Sequence, residues 1–173
     1  MKRKGLRASR KAFSLVELMV VVAVISILAL GLYIYYGGST DKARVAKTVE
    51  FANNLKRAMS AYYADTGYYP SKTQQLWTNA VGAPGWNGPY VEPPNNNVSL
   101  NYWPHTPWSG TGWIACTWGS NVQLVINGAS KDFCYKLDRA VDDGNLSAGN
   151  VRWDSSVNRC RYFLIRGTNV RCK

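Results

Sequence analysis

The chain has 173 residues, a formal net charge of +11, four cysteines and one histidine. That length suits one compact domain plus an accessory segment and argues against two full domains. Lys2, Arg3, Lys4, Arg7, Arg10 and Lys11 put six positive charges and no acid in the first eleven residues, so the remainder carries only +5 and total charge makes no case for nucleic acid.

From Leu18 to Tyr36, nineteen residues contain neither a charge nor a proline. A hydrocarbon core of about 30 Å needs roughly 20 helical residues, and Ser14 to Tyr36 would rise about 34 Å, so the segment is expected to span a bilayer. The apolar run exceeds the core of about 7 to 15 residues that a cleaved signal peptide uses. The basic residues before it set the N-terminus in the cytoplasm and everything after Gly38 outside. A plain anchor does not account for Glu17, a carboxylate just inside the apolar helix that needs a partner.

The segment Phe13-Ser14-Leu15-Val16-Glu17-Leu18-Met19-Val20-Val21 resembles the cleavage and methylation signal of type IV prepilins and pseudopilins. The resemblance implies cleavage between Ala12 and Phe13 by a prepilin peptidase, and methylation of the new Phe13 amine. It also implies that Glu17 pairs with the amine of a neighbouring subunit, so that a buried charge is tolerated on assembly. An assembly ATPase and an inner-membrane platform are the implied partners, and the product is a homo-oligomeric or mixed pilin filament. Ala12 stands where the family usually has Gly, and Ile34 where many members have Pro.

Past Gly38 the pattern restarts as an amphipathic helix, with Val45, Val49, Ala52, Leu55, Met59 and Tyr62 at three- and four-residue steps and Gly67 as its C-cap. The segments Gly67-Tyr68-Tyr69-Pro70 and Trp86-Asn87-Gly88-Pro89-Tyr90 resemble a loop of the major pseudopilin of type II secretion. Where such pseudopilins carry an Asp-Pro-Trp element in a calcium loop, this chain has Thr106-Pro107-Trp108. Beyond Tyr90, runs at Trp113–Trp118, Val122–Ile126, Phe133–Leu137 and Tyr162–Ile165 are predicted to be strands of a small antiparallel sheet.

Four scattered cysteines without a Cys-x-x-Cys pair indicate disulfides in an oxidising compartment. The expected pairing is Cys116 with Cys134 and Cys160 with Cys172, the other two of three connectivities staying open. The Cys160–Cys172 piece resembles the disulfide-closed C-terminal loop of many type IV pilins, which favours a pilus over a pseudopilus.

Two ligand sites are candidates. Asp138, Asp142, Asp143 and Asn145 gather oxygen ligands around a turn, as calcium sites do, although the run is also ordinary turn composition. Arg159, Arg161, Arg166, Arg171 and Lys173 lie among aromatic residues, a pattern that suits DNA and equally the solvated face of a strand. No cofactor is otherwise expected. His105 has no nucleophile or phosphate loop beside it, so the chain is not expected to be an enzyme.

The fold expected is α+β, a long N-terminal helix packed on a small antiparallel β head with disulfides. Residues 1–12 form a basic leader that is removed, 13–38 a transmembrane and filament-core helix, 39–67 an amphipathic helix and 68–173 a loop-rich head. The function implied is a major or minor subunit of a type IV pilus-like filament, with a secretion pseudopilin and a DNA-binding uptake pilin as alternatives. The protein would sit in the bacterial inner membrane and then in an extracellular or periplasmic filament.

Overall fold

The computed structural model describes residues 14–94, 102–103, 106–108, 110–117 and 119–173, with the side chains of 32–39 excepted. The chain divides into two compact units, Met1–Thr40 and Asp41–Lys173. Helix α1, Leu15–Thr66, contributes to both. It ends where Thr66 Oγ1 donates to the Tyr62 carbonyl at 2.7 Å and Gly67 takes φ +74°, the left-handed conformation that glycine adopts at a helix C-terminus without strain.

In the second unit α1 buries Val45, Thr48, Ala52, Leu55, Met59 and Tyr62, alternate steps of three and four that keep one stripe against the core. Thr48 takes the inner place expected of Val49, which is half-buried. Its hydroxyl is satisfied by donating to the Arg44 carbonyl at 2.8 Å, so the substitution of a polar residue costs no orphaned group. A 3-10 turn, Thr73–Leu76, follows the helix.

The remaining elements are β1 (Thr111–Thr117), β2 (Asn121–Asn127), α2 (Lys131–Val141), β3 (Val151–Asp154) and β4 (Arg159–Arg166). The strands form one antiparallel sheet in the order β1-β2-β4-β3. Ile114, Leu124, Ile126, Tyr162 and Leu164 join the α1 stripe in a single hydrophobic cluster, so the α+β class is correct.

Two expectations fail. Phe133–Leu137 is helical, because it lies in α2. Ser130 caps that helix by accepting the Phe133 N–H at 3.1 Å, and Phe133, Cys134, Leu137 and Asp138 turn inward at helical rather than alternating spacing. The disulfides are Cys116–Cys172 and Cys134–Cys160, not Cys116–Cys134 and Cys160–Cys172. Placing Cys134 on α2 turns it toward Cys160 on β4, with Cα atoms 5.7 Å apart. Cys116 on β1 instead meets the C-terminal tail, which returns beside Tyr69 through a parallel bridge to Cys172, and that pair's Cα atoms are 6.2 Å apart. Both separations allow an S–S bond.

Candidate assembly surface

In the first unit, the described part of α1 presents apolar side chains on every side. Leu15, Leu18, Met19, Val22, Ile25 and Ile27 are all more than half exposed, with Leu15 at 74% and Ile27 at 70%. No strip of the helix is polar, as a water-facing surface helix would require. Ser26, the one hydroxyl among them, donates back to the Val22 carbonyl at 2.7 Å and so presents little polarity outward. Among the described residues no helix is long and apolar enough to cross a membrane. Described side chains of this run end at Gly31, and the rest of the expected span to Tyr36 lies outside them.

Glu17 is the acidic residue of the first turn of α1. Its Oε2 accepts the N–H of Ser14 at 3.0 Å. Ser14 precedes the first helical residue, and its carbonyl accepts the Leu18 N–H, so Ser14-Leu15-Val16-Glu17 forms the backbone-directed half of a capping box. The sequence carried this signal, Ser followed three residues later by Glu, and only the carboxylate's partner across a subunit boundary was anticipated from it. Ala12 and Phe13, the expected cleavage pair, lie outside the described residues.

At the other end of α1 an aromatic clasp forms where the Gly-x-Tyr-Pro and Trp-x-Gly-Pro-Tyr segments were noted. Tyr63 stacks on Tyr69 with centroids 4.6 Å apart, and Tyr90 meets the edges of Tyr62 and Trp86 at 5.6 and 5.8 Å. The Tyr90 hydroxyl donates to Asp65 Oδ2 at 2.8 Å, and Trp86 Nε1 donates to the Gln75 carbonyl at 3.0 Å. Gln75, almost fully buried, accepts the Lys72 N–H at 2.8 Å and donates to the Lys173 carbonyl at 2.6 Å. The loop after α1 and the C-terminus are therefore one structure. Phe51 adds a second aromatic group with Trp103 and Trp108, at 5.2 and 5.9 Å.

The calcium candidates are not brought together as a cation site. Among the described residues no group of three or more His, Cys, Asp or Glu side chains is placed to hold a metal. Asp138 is fully buried on the inner side of α2. The other three bond their own loop: Asp142 Oδ2 accepts the Asn150 N–H at 2.6 Å, Asp143 Oδ1 that of Asn145 at 2.8 Å, and Asn145 Oδ1 that of Ser147 at 3.1 Å. Burial pushes the Asp138 carboxyl above the usual carboxylate range, and nearby Asp142 and Asp143 add to the rise against the N–H groups of Gly144 and Val151. Neither of its oxygens makes a hydrogen bond of regular geometry.

Arg159, Arg161 and Arg166 lie along β4, while Arg171 and Lys173 belong to the tail beside Tyr69. The β4 arginines already have partners within the head. Arg159 lies over Trp113 at 5.1 Å, Arg161 is paired with Asp154, and Arg166 lies over Phe163 at 4.4 Å. Arg152 covers the same Phe163 ring at 5.1 Å. Aromatic rings covered by the protein's own cations do not offer the bare stacking platform that single-stranded nucleic acid uses. His105 lies outside the described residues. An open groove of about 540 Å³, lined among others by Asn54, Arg57, Ala61, Tyr90 and Glu92, holds no nucleophile with a base beside it.

Comparison with known proteins finds two family matches, the prokaryotic N-terminal methylation motif over residues 7–33 and the C-terminal region of PilW over residues 39–114. The chain is 35% identical over 159 residues to fimbrial protein EcpC of Eikenella corrodens, covering 92% of this chain and 90% of the relative. It is 36% identical over 107 residues to type II secretion system core protein G of Xanthomonas campestris pv. campestris, covering 60% of this chain and 71% of the relative. The type IV major pilin protein PilE of Neisseria gonorrhoeae matches at 36% over 61 residues, 35% of this chain and 36% of that one. No solved structure matches the chain significantly.

Proposed function

Because the chain belongs to the family of type IV pilins and type II secretion pseudopilins, we propose that it is a structural filament subunit held in the inner membrane by the first half of α1 until assembly buries that half in the filament. The observation that carries this reading is the apolar surface of α1 from Leu15 to Leu30, exposed all round. Covering a large apolar side chain contributes about 1.5 to 3 kcal/mol, so a dozen of them supply on the order of 20 kcal/mol to whatever surrounds the helix, lipid first and neighbouring subunits later.

Processing by a prepilin peptidase between Ala12 and Phe13, with methylation of Phe13, would release the basic leader. An assembly ATPase and a membrane platform would then extract the subunit. Glu17 has two partners available in sequence. Before assembly its carboxylate satisfies the Ser14 N–H of its own chain. On assembly it meets the charged Phe13 amine of the adjacent subunit, and a buried opposite charge makes entry of a carboxylate into the apolar interior tolerable.

Glu17→Gln keeps the shape and the local acceptor while removing the charge. Filament yield from cells should fall while leader cleavage stays intact, as measured by electron microscopy of sheared filaments together with mass spectrometry of the chain. Normal filaments from this variant would overturn the charge-pairing role.

The pseudopilin reading rests on the similarity to secretion protein G over 71% of that relative. The match to a fimbrial protein over 92% of this chain favours the pilus, whereas the Cys160–Cys172 loop expected from the sequence lends it no support, because Cys172 bonds Cys116 and Cys160 bonds Cys134. Wild-type filaments recovered from the cell surface support the pilus, and subunits confined to the periplasm support the pseudopilus.

A further inference from the structure

Between α2 and β3 the chain reads Asp143-Gly144-Asn145-Leu146-Ser147. Asn followed by a residue other than proline and then Ser is the acceptor pattern for asparagine-linked glycosylation, which requires a surface loop on an exported chain. Here an acid stands two residues before the acceptor, a charge that a cationic subsite of a transferase can read.

The structure presents these residues outward. Asp143, Asn145 and Ser147 are exposed, while Leu146 between them packs against the core and its carbonyl accepts the Trp153 N–H at 3.1 Å. Leu146 thus anchors the loop, and alternation sends the acceptor and the serine into solvent. Asn145 Oδ1 accepts the Ser147 N–H at 3.1 Å, tying up the carbonyl end of the amide. Its Nδ2 is left without a hydrogen bond among the described residues. Asp143 uses Oδ1 on the Asn145 N–H and keeps Oδ2 for an outside partner. Two disulfides in the same head place it in an oxidising compartment, the side of the membrane on which such a transferase would meet it.

We infer that Asn145 is an acceptor for asparagine-linked glycosylation by a membrane oligosaccharyltransferase, with a polyprenyl-diphosphate-linked oligosaccharide as donor. Nδ2 of Asn145 attacks C1 of the first sugar. The C1–N bond forms as the C1–O bond to diphosphate breaks, polyprenyl diphosphate leaves with the bonding electrons, and the amide gives up one proton to a base of the transferase. No oxidation or reduction is involved.

The chain contains a second Asn-x-Ser, Asn97-Val98-Ser99, with Asn95 rather than an acid two residues earlier. It is an internal comparison, and it is expected to stay unmodified.

The test is to co-express the full-length chain in bacterial cells with a transferase of this class, its lipid-linked oligosaccharide and a known acceptor protein. Trypsin then releases residues 140–152, which contain Asn145 and no cysteine. One glycan mass is expected on this peptide in wild type and in Ser147→Thr, and none in Asn145→Gln or Ser147→Ala. Asp143→Asn should lower occupancy at least tenfold with both disulfides still formed. An unmodified peptide in a disulfide-bonded chain, from cells whose control acceptor is glycosylated, would overturn the site. Because the disulfides report arrival on the oxidising side, that result would leave the export reading standing. A glycan that persists in Asn145→Gln, or sits on Asn97 instead, would also overturn it.

Discussion

Removing each disulfide as a pair, Cys116→Ala with Cys172→Ala or Cys134→Ala with Cys160→Ala, should give two separate and calculable losses. The bonds close loops with sequence separations of 56 and 26. Loop-closure entropy then assigns about 4.2 kcal/mol to the first and about 3.5 kcal/mol to the second. The unit Asp41–Lys173 has 133 residues. At roughly 2.1 cal/mol/K per residue its unfolding entropy near 60 °C is about 0.28 kcal/mol/K, so Tm should fall by ~15 °C and ~12 °C respectively. Thermal denaturation of the oxidised protein, followed by circular dichroism in detergent, measures both. Thiol labelling under denaturing, non-reducing conditions checks the connectivity. Each matched pair variant should show no free thiol, whereas the crossed variant Cys116→Ala with Cys134→Ala should show two, at Cys160 and Cys172. A crossed variant without free thiols, losing only one bond's worth of Tm, would refute both the connectivity and the packing of α2 that explains it.

Other outcomes follow from buried or exposed groups. The Asp138 carboxyl has a raised pKa in the folded head, so its ionisation opposes folding above that pKa and costs nothing below the ordinary carboxylate range. Asp138→Asn should therefore raise Tm at neutral pH, with the gain disappearing as pH falls below about 4, and a pH series of melting curves reads the difference. Gln75→Leu leaves the Lys72 N–H and the Lys173 carbonyl without their buried partner and should cost about 1 to 3 kcal/mol, measured by urea denaturation. Ile25→Asp sets a carboxylate in the apolar part of α1, about 2.5 to 3.5 kcal/mol unfavourable at a bilayer centre. It should lower the membrane-bound fraction and abolish filaments while the head's melting curve stays unchanged.

The sequence by itself determined what depends on neighbours along the chain. The apolar run and Glu17, the three-and-four stripe from Val45 to Tyr62, the stop at Gly67 and the strands β1, β2 and β4 are all set by local periodicity and turn residues. Even Ser14 with Glu17 was a readable cap. Tertiary structure decided the rest. Phe133, Cys134 and Tyr135 suit a strand by composition; the Ser130 cap is a local signal against that, and the inward burial of Phe133, Cys134, Leu137 and Asp138 against the sheet is what holds them helical. β4 enters between β2 and β3, and the tail returns to Tyr69 and Gln75, the latter contact joining residues 98 positions apart. Cysteine pairing follows from those long-range placements, because a disulfide responds to distance in space and sequence order does not supply it. The charged candidates acquired partners both near and far along the chain. Arg159 lies over Trp113 of β1, a contact only the folded sheet supplies, whereas Arg161 with Asp154, Arg166 with Phe163 and Asp142 with the Asn150 N–H are pairs close in sequence that the β3–β4 hairpin and the loop after α2 bring together.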